Sequence, residues 1–433
     1  MSVILRNLKG TSDFMPQEQR LRQEIIRKLQ DVFECYGYQP LETPIVCCYD
    51  VLASKYAGGD EILKEVYKLR DQGNRELGLR YDLTVPFARI VGMTSDIRLP
   101  FKRYEIGKVF RDGPVKTGRN REFIQCDVDS AGISSVMAEA ELMIMAAEVY
   151  AMLGLDVYIS FNNRKLLSGL ISASGIAAEN AGSVILTIDK LEKIGLEATR
   201  LELSDKGICK ESVDKLFYFM SLPQEAFMQF FRTNPINNLI KEGIMEIDEL
   251  LGYLSESGIL DIIRFTPCLA RGLEIYTGTV YEVFLKDGSI TSSVGAGGRY
   301  DKIIGAFLNN GMEYPAVGMT FGLDVIFEAL SVKNNIDPSP PVDVFIIPIG
   351  TEKEALSIAV ALRKSGVKTD MEMGGRKLRK SLDYANKLGI PYVLILGEDE
   401  LKNNSVKFRD MKAGTERTVM LNDLKPELFS NSL

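Results

Sequence analysis

The stretch Phe101–Ser130, FKRYEIGKVFRDGPVKTGRNREFIQCDVDS, sets two apolar-patterned runs, Tyr104–Phe110 and Phe123–Val128, on either side of a loop holding Arg111, Lys116, Arg119 and Arg121. The patterning predicts a strand, a basic loop and a strand, with Asp127 and Asp129 ending the second strand. Cations on a loop between two sheet strands suit a polyphosphate, and carboxylates on the neighbouring strand suit an ammonium group. Both together belong in an enzyme that joins an amine-bearing acid to a nucleotide. A solvated hairpin with a charged tip fits the same residues, and the segment alone favours neither.

On the N-terminal side, Leu21, Ile25, Leu29, Val32 and Phe33 recur at helical spacing and predict a helix from about Gln17 to Glu34, ended by Tyr36-Gly37. Leu41–Ile45 follows as an extended segment whose Pro44 restricts it to a sheet edge or a strand end. On the C-terminal side, a helix is predicted over roughly Val136–Leu153, stopped by Gly154, then a strand Val157–Phe161. From about Leu166 to Leu260 the texture becomes helical and rich in Leu and Ile, without a polar constellation. Strand character resumes at Arg271–Phe284 and Ser292–Tyr300. Asn334–Pro341 reads as a linker. Beyond it, strand, helix, strand, helix and strand alternate from Val342 to Leu396, which predicts a small α/β domain with a largely parallel sheet.

The 433 residues carry a net charge of −7, which argues against indiscriminate nucleic-acid binding while leaving room for a local basic patch. No apolar run reaches the roughly 20 residues of a membrane span. The N-terminus lacks the pattern of a signal peptide. Cysteines 35, 47, 48, 126, 209 and 268 contain no CxxC pair and read as reduced thiols of a cytoplasmic protein. The chain contains no histidine and no tryptophan. Imidazole acid–base chemistry, Ser/His or Cys/His nucleophile pairs and His-ligated metals are thereby excluded. Catalysis has to use carboxylates, Arg and Lys electrostatics, or a metal held by oxygen.

Three further segments complement the opening stretch. Leu79–Thr84 places Asp82 and Thr84 at i and i+2, on one face if extended. Arg271–Gly278 puts an arginine before a predicted strand bearing Tyr276. Gly295–Asp301 is glycine-rich, where backbone can approach a ligand closely. Each alone has a plainer reading as turn acid, surface cation or hairpin glycines; their joint occurrence carries the weight.

With these motifs, and with Lys9–Phe14, Tyr36–Ile45 and Lys377–Tyr392, the chain resembles the histidyl-tRNA synthetase family of class II aminoacyl-tRNA synthetases along nearly its whole length. The resemblance implies an α/β protein. An α+β catalytic domain with an antiparallel sheet flanked by helices would occupy residues 1–330, with a helical insertion at about 166–260. A linker (331–341) and an α/β anticodon-binding domain (342–433) would follow. It implies histidine, ATP and tRNA(His) as substrates, Mg²⁺ carried by the nucleotide with no protein-only metal site, a homodimer built through Tyr36–Ile45, and no membrane. Asp82, Leu83, Thr84 and Gln125 would surround the α-amino group, while Asp129, Ile275, Tyr276 and Tyr300 would face the imidazole. Arg111 would meet the histidine carboxylate and the α-phosphate, Phe123 would stack on adenine, Arg119 would reach the outer phosphates, and Arg271 would sit where charge develops.

The sequence departs from the family pattern at three positions. Gly113 stands where an acid usually follows the motif 2 arginine, and Ile275 stands where a tyrosine is frequent. Val325 replaces an ATP-binding arginine, and an aliphatic side chain can neither pair with phosphate nor stack a guanidinium on adenine. A cation such as Arg119 or Arg121 has to substitute. Two other functions fit the same motifs: a non-catalytic sensor of histidine or tRNA, like the regulatory subunit of ATP phosphoribosyltransferase, and a ligase whose acceptor is not tRNA.

Overall fold

The Pro16–Cys35 helix begins with proline at its first turn, and the Glu18 carboxylate returns to accept the Met15 N–H at 3.1 Å. Its buried face carries Leu21, Ile25, Leu29, Val32 and Phe33, each contributing about 1.5–3 kcal/mol by burial. The chain turns away at Gly37, whose φ of 77° favours glycine. The computed structural model describes residues 4–53, 63–94, 96–115, 120–272, 275–332 and 340–429. It divides into two compact units, Met1–Ile336 and Asp337–Leu433.

Four short strands open the first unit: β1 (Gln39–Pro40), β2 (Val46–Cys48), β3 (Lys68–Arg70) and β4 (Glu76–Leu79). The two long strands of the opening stretch follow as β5 (Phe101–Phe110) and β6 (Glu122–Ala131), then β7 (Val157–Asn163), β8 (Ile263–Phe265), β9 (Thr279–Leu285), β10 (Gly295–Arg299) and β11 (Ala316–Gly322). Strands β2-β4-β3 make a small antiparallel sheet, and the other eight run in the order β1-β5-β6-β11-β10-β9-β7-β8. Only the two outer pairings of this large sheet, β1 with β5 and β7 with β8, are parallel. Helices Pro16–Cys35, Met137–Met152 and Leu323–Val332 share one hydrophobic core with this sheet.

Several sequence expectations shift. The strand expected at Leu41–Ile45 ends at Pro40, because Thr43 is drawn into hydrogen bonds with Glu105 and Arg80. The second long strand continues past Asp127 and Asp129 to Ala131, so both acids lie inside the sheet. Among the described residues, 271–272 and 275–278 are not strand: the Gly278 carbonyl accepts from Arg164 N and the Thr277 N–H donates to Arg299 O, which bends the chain before β9. The helical stretch is helical as expected, from Arg164 to Glu256, but it shares its core with the large sheet. Helices Arg164–Ala173 and Asn238–Glu256 meet at Gly169 and Gly243; a Cβ on Gly243 would stand 2.6 Å from Leu166 N.

In the second unit, β12 (Val344–Ile349), β13 (Thr369–Met371) and β14 (Tyr392–Gly397) are parallel, with helices Glu352–Lys364 and Leu378–Lys387 between them. Strands β15 (Ser405–Asp410) and β16 (Thr415–Met420) complete the order β13-β12-β14-β15-β16. They add two antiparallel pairings, so this sheet is mixed rather than largely parallel: the link between β15 and β16 is too short for a crossover helix. All six cysteines are free, and no helix among the described residues is long and apolar enough to cross a membrane.

Candidate active site

Strand β6 decides the chemistry of the first unit. Its period of two puts Gln125, Asp127 and Asp129 on one face, and all three line a cleft of about 1460 Å³. Gly318 lies opposite Asp129 on β11, where a Cβ would sit 1.9 Å from Asp129 Oδ1; only glycine leaves room for that carboxylate. Thr320 lies opposite Asp127, accepts a hydrogen bond from Gln125 Nε2–H at 3.1 Å and donates its hydroxyl hydrogen to Asp127 Oδ1. Asp129 Oδ1 accepts the Tyr300 hydroxyl. Burial pushes both carboxyls above their ordinary range, Asp127 further raised by Asp129, and Asp129 held back by Arg103 and Tyr300.

Beneath them lies Arg103, fully buried on β5, with Nη2 at 2.7 Å from Asp129 Oδ2 and 2.8 Å from the Leu83 carbonyl, and with Phe87 under its guanidinium. Arg103 thus ties the strand acids to the Asp82 loop. Asp82 and Thr84 are not extended as expected. Thr84 starts the Thr84–Met93 helix, and Asp82 Oδ1 accepts the Val85 N–H at 3.0 Å. Both still line the cleft, whereas the Leu83 side chain is buried behind it. Burial raises the Asp82 carboxyl against the pull of the Val85 N–H and Arg111.

The cations stand at the cleft walls. Arg111 lies 4.3 Å over the Tyr81 ring and 4.9 Å from Phe123, with Nε 3.3 Å from the Tyr81 carbonyl. Its orientation is fixed by two aromatic faces. Arg271 pairs with Glu282 at 3.1 Å, while its Nε is buried and has no hydrogen-bond partner among the described residues. Tyr276, buried, lies 5.5 Å from the Arg271 guanidinium, and burial raises its hydroxyl. Ile275 lines the cleft beside it. Tyr276 packs on Gly298, where a Cβ would come within 2.9 Å of its ring, so that glycine makes room for protein atoms. Arg299 belongs to a different structure: it forms a buried pair with Glu139 at 2.6 Å.

The structure therefore brings Asp82, Thr84, Arg111, Phe123, Gln125, Asp129, Arg271, Ile275, Tyr276 and Tyr300 to one cleft. Arg119 and Lys116 lie outside the described residues. Arg121 pairs with Asp112 at 3.3 Å and bonds the Gly113 carbonyl, which ties its guanidinium to its own loop. Val325 lines the cleft as an apolar surface. Lys190, Lys193 and Lys206, from the helical stretch, also line it. Sequence reasoning passed over these lysines as scattered charge, and passed over Arg103 and Thr320 because their partners are distant in sequence. Among the described residues no cluster of acids and thiols is arranged as a metal site.

Comparison with known proteins agrees along the chain. A family model described as histidyl-tRNA synthetase matches residues 10–326, and one described as anticodon binding domain matches residues 343–430. A Bacillus cereus protein named Histidine–tRNA ligase 1 is 54% identical over 428 residues, covering 99% of this chain and 98% of that protein. A Shouchella clausii protein named Histidine–tRNA ligase 2 is 47% identical, covering 96% of this chain and 98% of its own length. The crystal structure of histidyl-tRNA synthetase from Nostoc sp. PCC 7120 matches with a TM-score of 0.87 at 29% identity, with 100% of both chains covered.

Proposed function

The chain belongs to the histidyl-tRNA synthetase family, and on that premise we propose that it activates L-histidine with ATP and transfers it to the 3′ end of tRNA(His). The observation that carries the reading is the sharing of one cleft by two guanidiniums, Arg111 and Arg271, with the acceptors Asp82, Gln125 and Asp129. A histidine carboxylate oxygen attacks the α-phosphorus, the new O–P bond forms, and the bond to pyrophosphate breaks. A terminal ribose hydroxyl of the tRNA then attacks the acyl carbon, and AMP leaves.

The first step removes no proton, so a chain without histidine loses nothing. Its barrier falls through positioning and through cations preset where charge develops. Arg111, braced by Tyr81 and Phe123, holds the histidine carboxylate beside the α-phosphate; Arg271, in the same cleft, faces the same phosphate. Phe123 offers its ring to adenine. Asp82, Thr84 and Gln125 hold the α-ammonium, while Asp129, Tyr276 and Tyr300 select the imidazole. A polar pocket of this kind rejects apolar amino acids strongly, because its buried groups would be left unpaired. Mg²⁺ enters as part of the nucleotide substrate and neutralises the pyrophosphate oxygens.

The exposed cations Arg363, Lys364, Lys368, Lys377, Arg379 and Lys380 of the second unit suit tRNA phosphates. Ile45, Val46 and Leu69 lie exposed on or beside the small sheet, an apolar patch suited to the interface of a homodimer. With six free thiols and no membrane-spanning helix described, we place the enzyme in the cytoplasm. Against a regulatory subunit of ATP phosphoribosyltransferase stands the high identity, over nearly the whole chain, to relatives named histidine–tRNA ligase, together with the anticodon-binding match of residues 343–430.

Histidine-dependent ATP–pyrophosphate exchange tests the reading. Exchange specific to histidine is expected, as is charging of tRNA(His), and Arg271→Ala is expected to lower exchange about 10²- to 10³-fold. No exchange by the folded protein overturns the ligase, exchange without charging overturns the acceptor, and an unchanged rate in Arg271→Ala overturns that residue's role.

A further inference from the structure

Asp127 has no part in the roles given above, yet its setting is that of a ligand group. The hydroxyl of Thr320 sits between Gln125 and Asp127 and can donate only one proton. It accepts the Gln125 amide N–H and donates its hydroxyl hydrogen to Asp127 Oδ1, the one arrangement open to it when Asp127 is ionised. That arrangement turns Gln125 Oε1 away from Thr320, and this oxygen is buried with no hydrogen-bond partner among the described residues. Such an orphan costs about 1–3 kcal/mol unless a donor arrives. The Gln125 side chain and the Asp127 carboxylate line the same cleft as Asp82 and Thr84. An ammonium has three N–H donors and needs this kind of acceptor group.

We propose that Asp127 is a further substrate-binding residue, a second carboxylate for the α-ammonium of histidine, and that Thr320 is the positioning residue that aims Gln125 and Asp127 at it. The inference rests on the ligase reading above. Charge balance supports it. Asp82, Asp127 and Asp129 gather three carboxyls against two cations, the fully buried Arg103 and, beside Asp82, Arg111. The other groups close to Asp127 and Asp129 are Glu105, already paired with Arg80 at 2.8 Å, and the hydroxyls of Tyr276 and Tyr300. The three acids thus exceed the two cations beside them, and an arriving ammonium makes up the difference. Without it, burial and Asp129 keep Asp127 partly protonated into the neutral range.

Two inhibitors of the exchange reaction separate a ligand role from a structural one. Histamine carries the imidazole and an ammonium without a carboxylate; imidazolepropionate carries the imidazole and a carboxylate without an ammonium. In Asp127→Asn, KM for histidine and the inhibition constant of histamine are expected to rise about 10- to 100-fold, with the imidazolepropionate constant unchanged and kcat within a few-fold. Thr320→Val, nearly isosteric, is expected to move the same two constants in the same direction by less. In the wild type, histamine binding is expected to strengthen as Asp127 loses its proton with rising pH. Imidazolepropionate, with the same ring, supplies the control profile, and Asp127→Asn is expected to flatten the difference between them. Equal shifts for both inhibitors, or none, in folded variants overturn the proposal. Absence of histidine-dependent exchange in the wild type overturns the ligase reading instead.

Discussion

At the scale of single residues, the sequence was most legible where side-chain chemistry is scarce and specific. Asp82, Gln125, Asp129, Tyr276, Tyr300, Arg111 and Arg271 all reach one cleft, because each sits in a short motif whose local pattern brings it there. Arg103 and Thr320 were not legible, since their meaning comes from partners: Thr320 meets Asp127 across 193 positions of sequence. Asp127 illustrates what such a site costs. Its carboxyl is raised above the ordinary value, burial first and Asp129 next. The folded protein therefore binds a proton there more tightly than the unfolded chain does. The stability this contributes is complete below the unfolded value of about 3.9 and is lost as pH rises toward the raised folded value. Asp127→Asn removes the loss. In ligand-free protein its melting temperature is expected to exceed that of the wild type by more at pH 8 than at pH 5. An equal difference at both pH values would contradict a raised Asp127.

At the scale of elements, periodicity gave the long helices almost to the residue and located the two long strands, falling three residues short at one end of each. It failed where hydrogen bonds redirect the backbone, from the side chains of Thr43 and Asp82 and from the main chain at Gly278. The junction of the Pro16–Cys35 helix, the Leu323–Val332 helix and β6 is one that no local pattern announces. Arg22 pairs with Asp324 at 2.7 Å, its guanidinium lies 3.8 Å over the Phe14 ring, and Asp324 Oδ2 accepts the Ile124 N–H at 3.0 Å. One carboxylate thus locks two helices to the strand that presents Phe123 and Gln125. Arg22 is only 2% exposed, so removal of Asp324 leaves a buried charge without a partner. Asp324→Ala is expected to destabilise the protein by about 3 kcal/mol in denaturant unfolding. KM for ATP is expected to rise as well, because Ile124 adjoins Phe123, the ring proposed above to face adenine. Asp324→Asn, which keeps an acceptor for Ile124 N, is expected to recover the KM more fully than the stability. Recovery in the reverse order would separate this junction from the cleft.

At the scale of the whole molecule, the division into two units was legible because a Pro-rich stretch separates two patterns that each close their own core. The helical stretch gave no sign of its attachment: its Leu and Ile spacing shows that a face is buried, and only the structure shows that the face shares the core of the large sheet. The histidine-free composition is the other property that belongs to the whole chain. All 433 residues avoid the amino acid that the proposed reaction consumes. The polar work that imidazoles often do inside proteins is carried here by guanidinium–carboxylate pairs such as Arg299–Glu139 and by the Thr320 and Tyr300 hydroxyls. Activation of a carboxylate needs no imidazole base, so the composition exacts no catalytic penalty. When histidine runs short, charged tRNA(His) falls and ribosomes slow at histidine codons. Translation of this chain meets none, so its synthesis continues while that of histidine-containing proteins declines. Pulse labelling of histidine-starved cells is therefore expected to show this protein rising as a fraction of new protein, with the ratio restored when histidine is returned. Starvation for leucine, which the chain uses throughout, is expected to give no such rise. Equal behaviour under the two starvations would leave compositional drift as the better account of the missing residue.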